Sequence, residues 1–135
     1  MKKTLLLAVA LACSGTVQAE SYLCKSEANA DVEWLGANNS GQDDVELIVN
    51  TDQGFRYRDS DKGYDGDCAT GGRFVVCEEL EADEDGQYGE GKLVIDTLYD
   101  GSDFGEGPIE DLRFTYHWVI YGQAVLSYAG NCTQI

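Results

Sequence analysis

The chain has 135 residues, with nine Lys or Arg against 25 Asp or Glu, and a formal net charge of −16. Such a surface repels phosphate backbones and anionic lipid, which sets nucleic acid aside as a partner, and it attracts basic proteins and divalent cations. Sixteen glycines, one proline and fourteen aromatic residues (eight Tyr, four Phe, two Trp) suit a folded β protein with tight turns and argue against a disordered chain.

The N-terminus reads as an export signal. Met1-Lys2-Lys3 is a short positive segment, Thr4 to Ala12 an uncharged aliphatic run, and Cys13 to Ala19 a small and polar segment. Val17 and Ala19 occupy the small-residue positions that a signal peptidase reads, so cleavage is expected between Ala19 and Glu20. The apolar run falls well short of the roughly 20 residues that span a bilayer. An alternative is cleavage before Cys13 with acylation of its sulfur. Ala10 stands where lipoprotein signals usually carry a branched aliphatic residue, and membrane attachment is expected only on that alternative. The expected destination is the periplasm or the surrounding medium, as in Gram-negative cells.

Cleavage leaves 135 − 19 = 116 residues, enough for a single domain with one core. All acidic residues remain, and seven basic ones, so the net charge becomes 7 − 25 = −18. The five cysteines become four: Cys24, Cys68, Cys77 and Cys132. An even number in an oxidising compartment reads as two disulfides. Three pairings are open. Cys68–Cys77, closing a short loop, with Cys24–Cys132, tying the first strand to the last, is the favoured one. On chain entropy these would contribute on the order of 3 and 5 kcal/mol. The cysteine spacing matches no zinc motif.

Along the mature chain, short apolar runs alternate with Gly, Asp, Asn and Ser clusters. Strands are expected at Ser21 to Lys25, Asp31 to Leu35, Val45 to Asn50, Phe55 to Arg58, Arg73 to Leu80 and Lys92 to Tyr99, with a turn near Ser26 to Ala30 and another at Ala37 to Gly41. Asp59 to Gly72 reads as a long polar loop, Glu81 to Gly91 as an acidic turn, and Asp100 to Glu110 as a Gly-rich loop. Leu112, Phe114, Tyr116, Trp118 and Ile120 alternate with Arg113, Thr115, His117, Val119 and Tyr121, the period of a half-buried strand. Ala124, Leu126 and Tyr128 repeat that period in the last strand, which runs to Cys132. The expected fold is all-β: an antiparallel small β-barrel or sandwich of about eight strands, stapled by two disulfides.

Two acidic segments partly imitate a calcium loop. Glu81, Asp83 and Asp85 alternate before Gly86, and Asp59 and Asp61 precede Asp65 and Asp67. Neither has the closing bidentate acid of an EF-hand, and Lys92 stands where the first would need it, so two solvated turns are the plainer reading and calcium binding would be weak. His117 lacks any surrounding catalytic motif, and all four mature thiols are expected to be paired, so neither a histidine base nor a cysteine nucleophile is read and no catalysis is expected. Trp34, Trp118, Tyr116, Tyr121 and Tyr128 either line a cavity or fill the barrel, and small barrels are commonly filled.

The head Tyr22-Leu23-Cys24, the middle Arg73-Phe74-Val75-Val76-Cys77 and the tail Tyr128-Ala129-Gly130-Asn131-Cys132-Thr133-Gln134-Ile135 resemble a loose group of small exported proteobacterial proteins. That resemblance implies export and paired cysteines and carries no mechanism. A second resemblance is to the periplasmic inhibitors of C-type lysozyme, which are small disulfide-tied barrels. Gln53-Gly54-Phe55-Arg56-Tyr57 is similar to their Ser-Gly-x-Arg-Tyr segment, with Gln53 in place of the serine, and Lys62-Gly63 lacks the tryptophan that precedes their Lys-Gly. It implies that Arg56 and Tyr57 contact a partner. The expected function is a non-catalytic binding or structural module of the cell envelope without a cofactor. The alternatives are an acidic inhibitor of a basic enzyme such as lysozyme and a weak calcium-binding module.

Overall fold

The computed structural model describes residues 18–33, 36–38, 44–98 and 112–135. Nine strands follow one another: β1 (Ser21–Glu33), β2 (Gly36–Asn38), β3 (Glu46–Asn50), β4 (Gly54–Tyr57), β5 (Asp67–Gly71), β6 (Phe74–Asp83), β7 (Gly86–Asp96), β8 (Leu112–Ile120) and β9 (Ala124–Gln134). All pairings are antiparallel, in the order β4-β3-β1-β9-β8-β7-β6-β5, with β2 a short hairpin partner of β1 off this path. Read around the ring, sequence neighbours are space neighbours, and the first and last strands meet. Eight strands thus make a nearly closed up-and-down barrel. No helix among the described residues is long and apolar enough to cross a membrane.

Period-two burial decides which face points inward. Tyr22 and Cys24 of β1, Leu47 and Val49 of β3, Phe55 of β4, Val75 and Cys77 of β6, Leu93 and Ile95 of β7, Phe114 and Tyr116 of β8, and Tyr128 and Cys132 of β9 form one buried core. Within it Phe55 meets Tyr116 edge-on, with centroids 5.5 Å apart, and Tyr116 stacks on Tyr128 at 5.9 Å. These aromatics fill the barrel, and their apolar burial is the main stabilising term.

Both disulfides join residues directly opposite in register: Cys24–Cys132 across β1 and β9, and Cys68–Cys77 across β5 and β6. The first clamps β1 to β9 at a sequence separation of 108; the second joins residues only nine apart. Two disulfides accord with an oxidising, non-cytoplasmic compartment.

Three sequence boundaries change. The segment expected as a turn at Ser26 to Ala30 and a separate strand from Asp31 is continuous β1, with a bulge between Ser26 and Ala28. Ser26 is buried there, and its hydroxyl accepts from the Val45 amide at 2.8 Å, so the polar side chain is satisfied inside the sheet. The polar loop from Asp59 contains β5, which the disulfide holds against β6. The acidic turn is much tighter than Glu81 to Gly91. β6 and β7 continue to Asp83 and Gly86, leaving Glu84 and Asp85 at the tip, and Gly86 supplies the positive φ of 124°. The export signal up to Val17 with Cys13, the residues Trp34 and Leu35, the turn at Asn39 to Gly41 and the loop Asp100 to Glu110 lie outside the described residues. Of the signal boundary, Glu20 is placed: its amide donates to Thr51 Oγ1 at 2.9 Å, and the Tyr22 hydroxyl donates to its carboxylate.

The two disulfides differ in the loop they close, so removing them has unequal cost. The double variant Cys24→Ala/Cys132→Ala is expected to lose about 4–5 kcal/mol, and Cys68→Ala/Cys77→Ala about 2–3 kcal/mol, in denaturant unfolding. Equal losses would show that loop length does not set their contribution.

Candidate functional site

The barrel's strand ladder is interrupted at one place. β4 and the chain entering β5 share a single bridge, in which the Phe55 amide donates to the Asp65 carbonyl and the Asp65 amide to the Phe55 carbonyl, each at 2.9 Å. Gly54, at φ 105°, makes this approach feasible: a Cβ there would lie 2.1 Å from the Asp65 carbonyl oxygen. Beyond the bridge the two sides separate. β5 pairs β6 from Gly71↔Phe74 to Asp67↔Glu78, whereas β6 runs on to Asp83 hydrogen-bonded to β7 alone, with Gly66 packed against Glu78 and Glu79 on its other side.

The residues that line this seam follow from register. The core row Cys77, Leu93, Tyr116, Tyr128 is succeeded, two residues along each strand, by Glu79, Gly91, Trp118 and Leu126. The sheet therefore points a carboxylate inward where the rows below it are apolar. Trp118 lies flat over Gly91, whose absent Cβ would sit 2.8 Å from the indole Cε3 and 3.3 Å from Glu79 Cγ. The glycine leaves room for the indole to cap the core. Trp118 and Glu79 thereby share one end of the barrel.

Glu79 is partly buried there. Burial first, then the charges of Asp65 and Glu81, raise its pKa from 4.5 to about 7, and Lys62 offsets only part of that. Opposite stands Tyr57, 45% exposed, which accepts a hydrogen bond from the Tyr116 hydroxyl. Burial raises the pKa of both phenols, most strongly that of Tyr116. A small recess of about 170 Å³ lies between Tyr57, Asp65, Glu79 and Glu81. It opens beside a groove of about 1280 Å³ that takes in Lys62, Asp65, Asp67, Glu78, Glu79, Leu80, Glu81 and Glu90.

The residues read from the sequence as ligands fall around this end but in separate roles. Asp59 and Asp61 are exposed in the loop after β4, Asp65 makes the bridge, and Asp67 opens β5. Glu81 accepts a hydrogen bond from the Tyr88 hydroxyl, and Asp83 accepts from the Asp85 amide at 2.9 Å within the tip of the hairpin. Among the described residues no three Asp, Glu, His or Cys side chains gather in an arrangement that could hold a metal. Arg56 turns back on its own loop. Its Nη1 donates to the carbonyls of Tyr57, Arg58 and Ser60 at 3.3–3.4 Å, and the guanidinium stands 5.4 Å from the Tyr64 ring. It shapes the seam's outer wall. Both Arg56 and Tyr57 border the recess. His117, on the outer face, hydrogen-bonds Ser127 at 2.8 Å, beside the Lys92–Glu78 ion pair at 3.0 Å. Glu79 is the site residue that sequence reasoning missed. The signal was present as an acid in phase with Val75 and Cys77.

Comparison with protein-family models, with curated proteins and with solved structures finds no match for this chain.

Glu79's raised pKa has a fixed sign in stability. The folded state holds the proton more tightly than the unfolded chain, so the contribution is full below about pH 4.5 and is lost as pH rises through about 7. Glu79→Gln is expected to remove that slope. With a discount for partial exposure, the variant should be more stable than the parent by about 1–2 kcal/mol at pH 8 and nearly equal to it at pH 4. Urea unfolding at the two pH values checks it; parallel curves would contradict the assignment.

Proposed function

We propose that this chain is a non-catalytic binding module, exported to the periplasm or beyond, whose partner is a basic protein. The observation that carries the reading is the imbalance of charge around the groove. Asp65, Asp67, Glu78, Glu79, Glu81 and Glu90 face it with only Lys62 and Lys92 among them, and Lys92 is already engaged by Glu78. Elsewhere the mature protein's cations are spent on the barrel wall. Lys25 and Arg58 share Glu46, Arg73 pairs with Asp96, and Arg113 with Glu27. The groove therefore carries more carboxylates than cations, and its negative field is only partly compensated. Such a surface steers a basic partner and gives an association that weakens with salt.

Inhibition of a basic enzyme is the sharper form of this reading. The segment around Tyr57 that is similar to the lysozyme inhibitors forms one wall of the recess, next to the acidic groove. A C-type lysozyme titrated with this protein is expected to bind at low ionic strength and to lose lytic activity. Asp67→Asn/Glu81→Gln/Glu90→Gln should weaken binding by at least about tenfold, which corresponds to about 1.4 kcal/mol, without lowering the melting temperature. Absence of binding to any basic protein at low salt would overturn the basic-partner reading. Binding without loss of lysis would leave the partner class and remove the inhibitor role.

A further inference from the structure

β5 is the least anchored strand of the ring. It ends the strand order, so β6 is its one full neighbour, and the chain entering it is tied to β4 by the lone Phe55–Asp65 bridge. Of the eight ring strands it alone has no fully buried residue: Asp67, Ala69, Thr70 and Gly71 are exposed and Cys68 is half-buried. Cys68 is also the one β5 residue that packs against the core. Five register pairs without an enclosed side chain are a weak hold, because a strand draws much of its stability from the packing of its side chains. The Cys68–Cys77 bond supplies in β5 what packing supplies in the other strands.

The two disulfides also differ in access. Cys24, Cys132 and Cys77 are completely enclosed, and Cys68 is the only bonded cysteine that solvent reaches. A thiolate must touch a sulfur to open a disulfide, so the accessible bond is the labile one. We propose that Cys68–Cys77 is a thiol–disulfide exchange site, opened by a dithiol while Cys24–Cys132 stays intact, and that its opening releases β5 from a standing barrel. The dithiol's thiolate attacks Cys68 Sγ, and the Cys77 sulfur leaves as a thiolate and takes a proton from water. The second thiol of the reductant then attacks its own sulfur in the mixed disulfide. That step closes the reductant's disulfide and frees Cys68 as a thiolate, which is protonated in turn. Two electrons pass from the dithiol to the two cysteines. With the bond open, Asp67–Gly71 frays, and Asp67, Cys68 and Ala69 leave the wall of the groove. Cys24–Cys132 and its β1–β9 ladder still close the ring. The two freed thiols are only nine residues apart, so the bond re-forms by a local closure. None of this depends on the basic-partner reading.

The experiment treats the mature protein, without denaturant, with limiting dithiothreitol. Free thiols are trapped with iodoacetamide and located by peptide mass mapping. Cys68 and Cys77 should be alkylated at least about tenfold faster than Cys24 and Cys132. In the protein reduced at that bond, those amides of Asp67–Gly71 that resist hydrogen exchange when it is oxidised should exchange at least about tenfold faster, with β1 and β9 unchanged. Reoxidation with glutathione disulfide should restore the slow exchange. Cys68→Ser/Cys77→Ser should reproduce the reduced pattern with no reductant present. Equal alkylation of all four cysteines overturns the selective site. Unchanged exchange in β5 after reduction, or loss of protection throughout the barrel, overturns the release of a single strand. These readouts come from the parent protein, so they decide the matter even where the double variant does not fold.

Discussion

The pairing of β1 with β9 is the constraint on which the rest of the structure depends. Eleven register pairs join the two strands, and the Cys24–Cys132 disulfide sits within them. A meander of strands has two free edges, and an exposed edge invites association with other chains. Joining the first strand to the last removes the chain's own terminal strands from that hazard. It also fixes the inward register. With Cys24 opposite Cys132, period two places Tyr22, Tyr128 and their neighbours in the core, and a slip of one residue would turn every one of them outward. The disulfide thus constrains the unfolded chain and selects a register in the folded one.

Closing the ring at the ends transfers the edge to the interior of the sequence. The ladder gives way between β4 and β6, where a lone bridge at Phe55 and Asp65 spans what a full strand pairing would have covered. Charge bears on why this gap stays open. Asp65 and Glu81 add to the cost of ionising Glu79 across it, on top of its burial. Acidic residues also protect an edge, because like charges on approaching copies repel.

The fold was largely legible because it rests on period two and on cysteine parity. The run from Leu112 to Ile120 alternates without a break, and its burial follows that alternation through Phe114 and Tyr116. Boundaries were less legible where tertiary contacts override local chemistry. Asp67 to Gly71 carries Gly, Asp and Thr and has little strand propensity of its own; the bond from Cys68 to Cys77 holds it against β6. Glu84 and Asp85 make a two-residue tip inside a segment whose acids and glycines read as a long loop. The site was scarcely legible at all. An acidic cluster in an acidic chain carries no contrast, and nothing in the order of residues announces that β5 stops at Asp67 while β6 continues.

Glu79 shows where local and global preferences conflict. Its strand position calls for an apolar side chain, since Val75 and Cys77 precede it on the same face and Trp118 lies beside it. An apolar residue there would add buried surface and remove a carboxyl that burial and two neighbouring acids drive towards protonation. Conflicts of this kind tend to fall at sites that serve function, because selection for stability alone does not retain them. Here the conflict, the break in the ladder and the uncompensated charge coincide on the same few residues of β6. Each has a purely structural reading when taken alone. Their coincidence does not, because a gap that served only to end the sheet would be better filled by the side chains that fill the rest of the barrel.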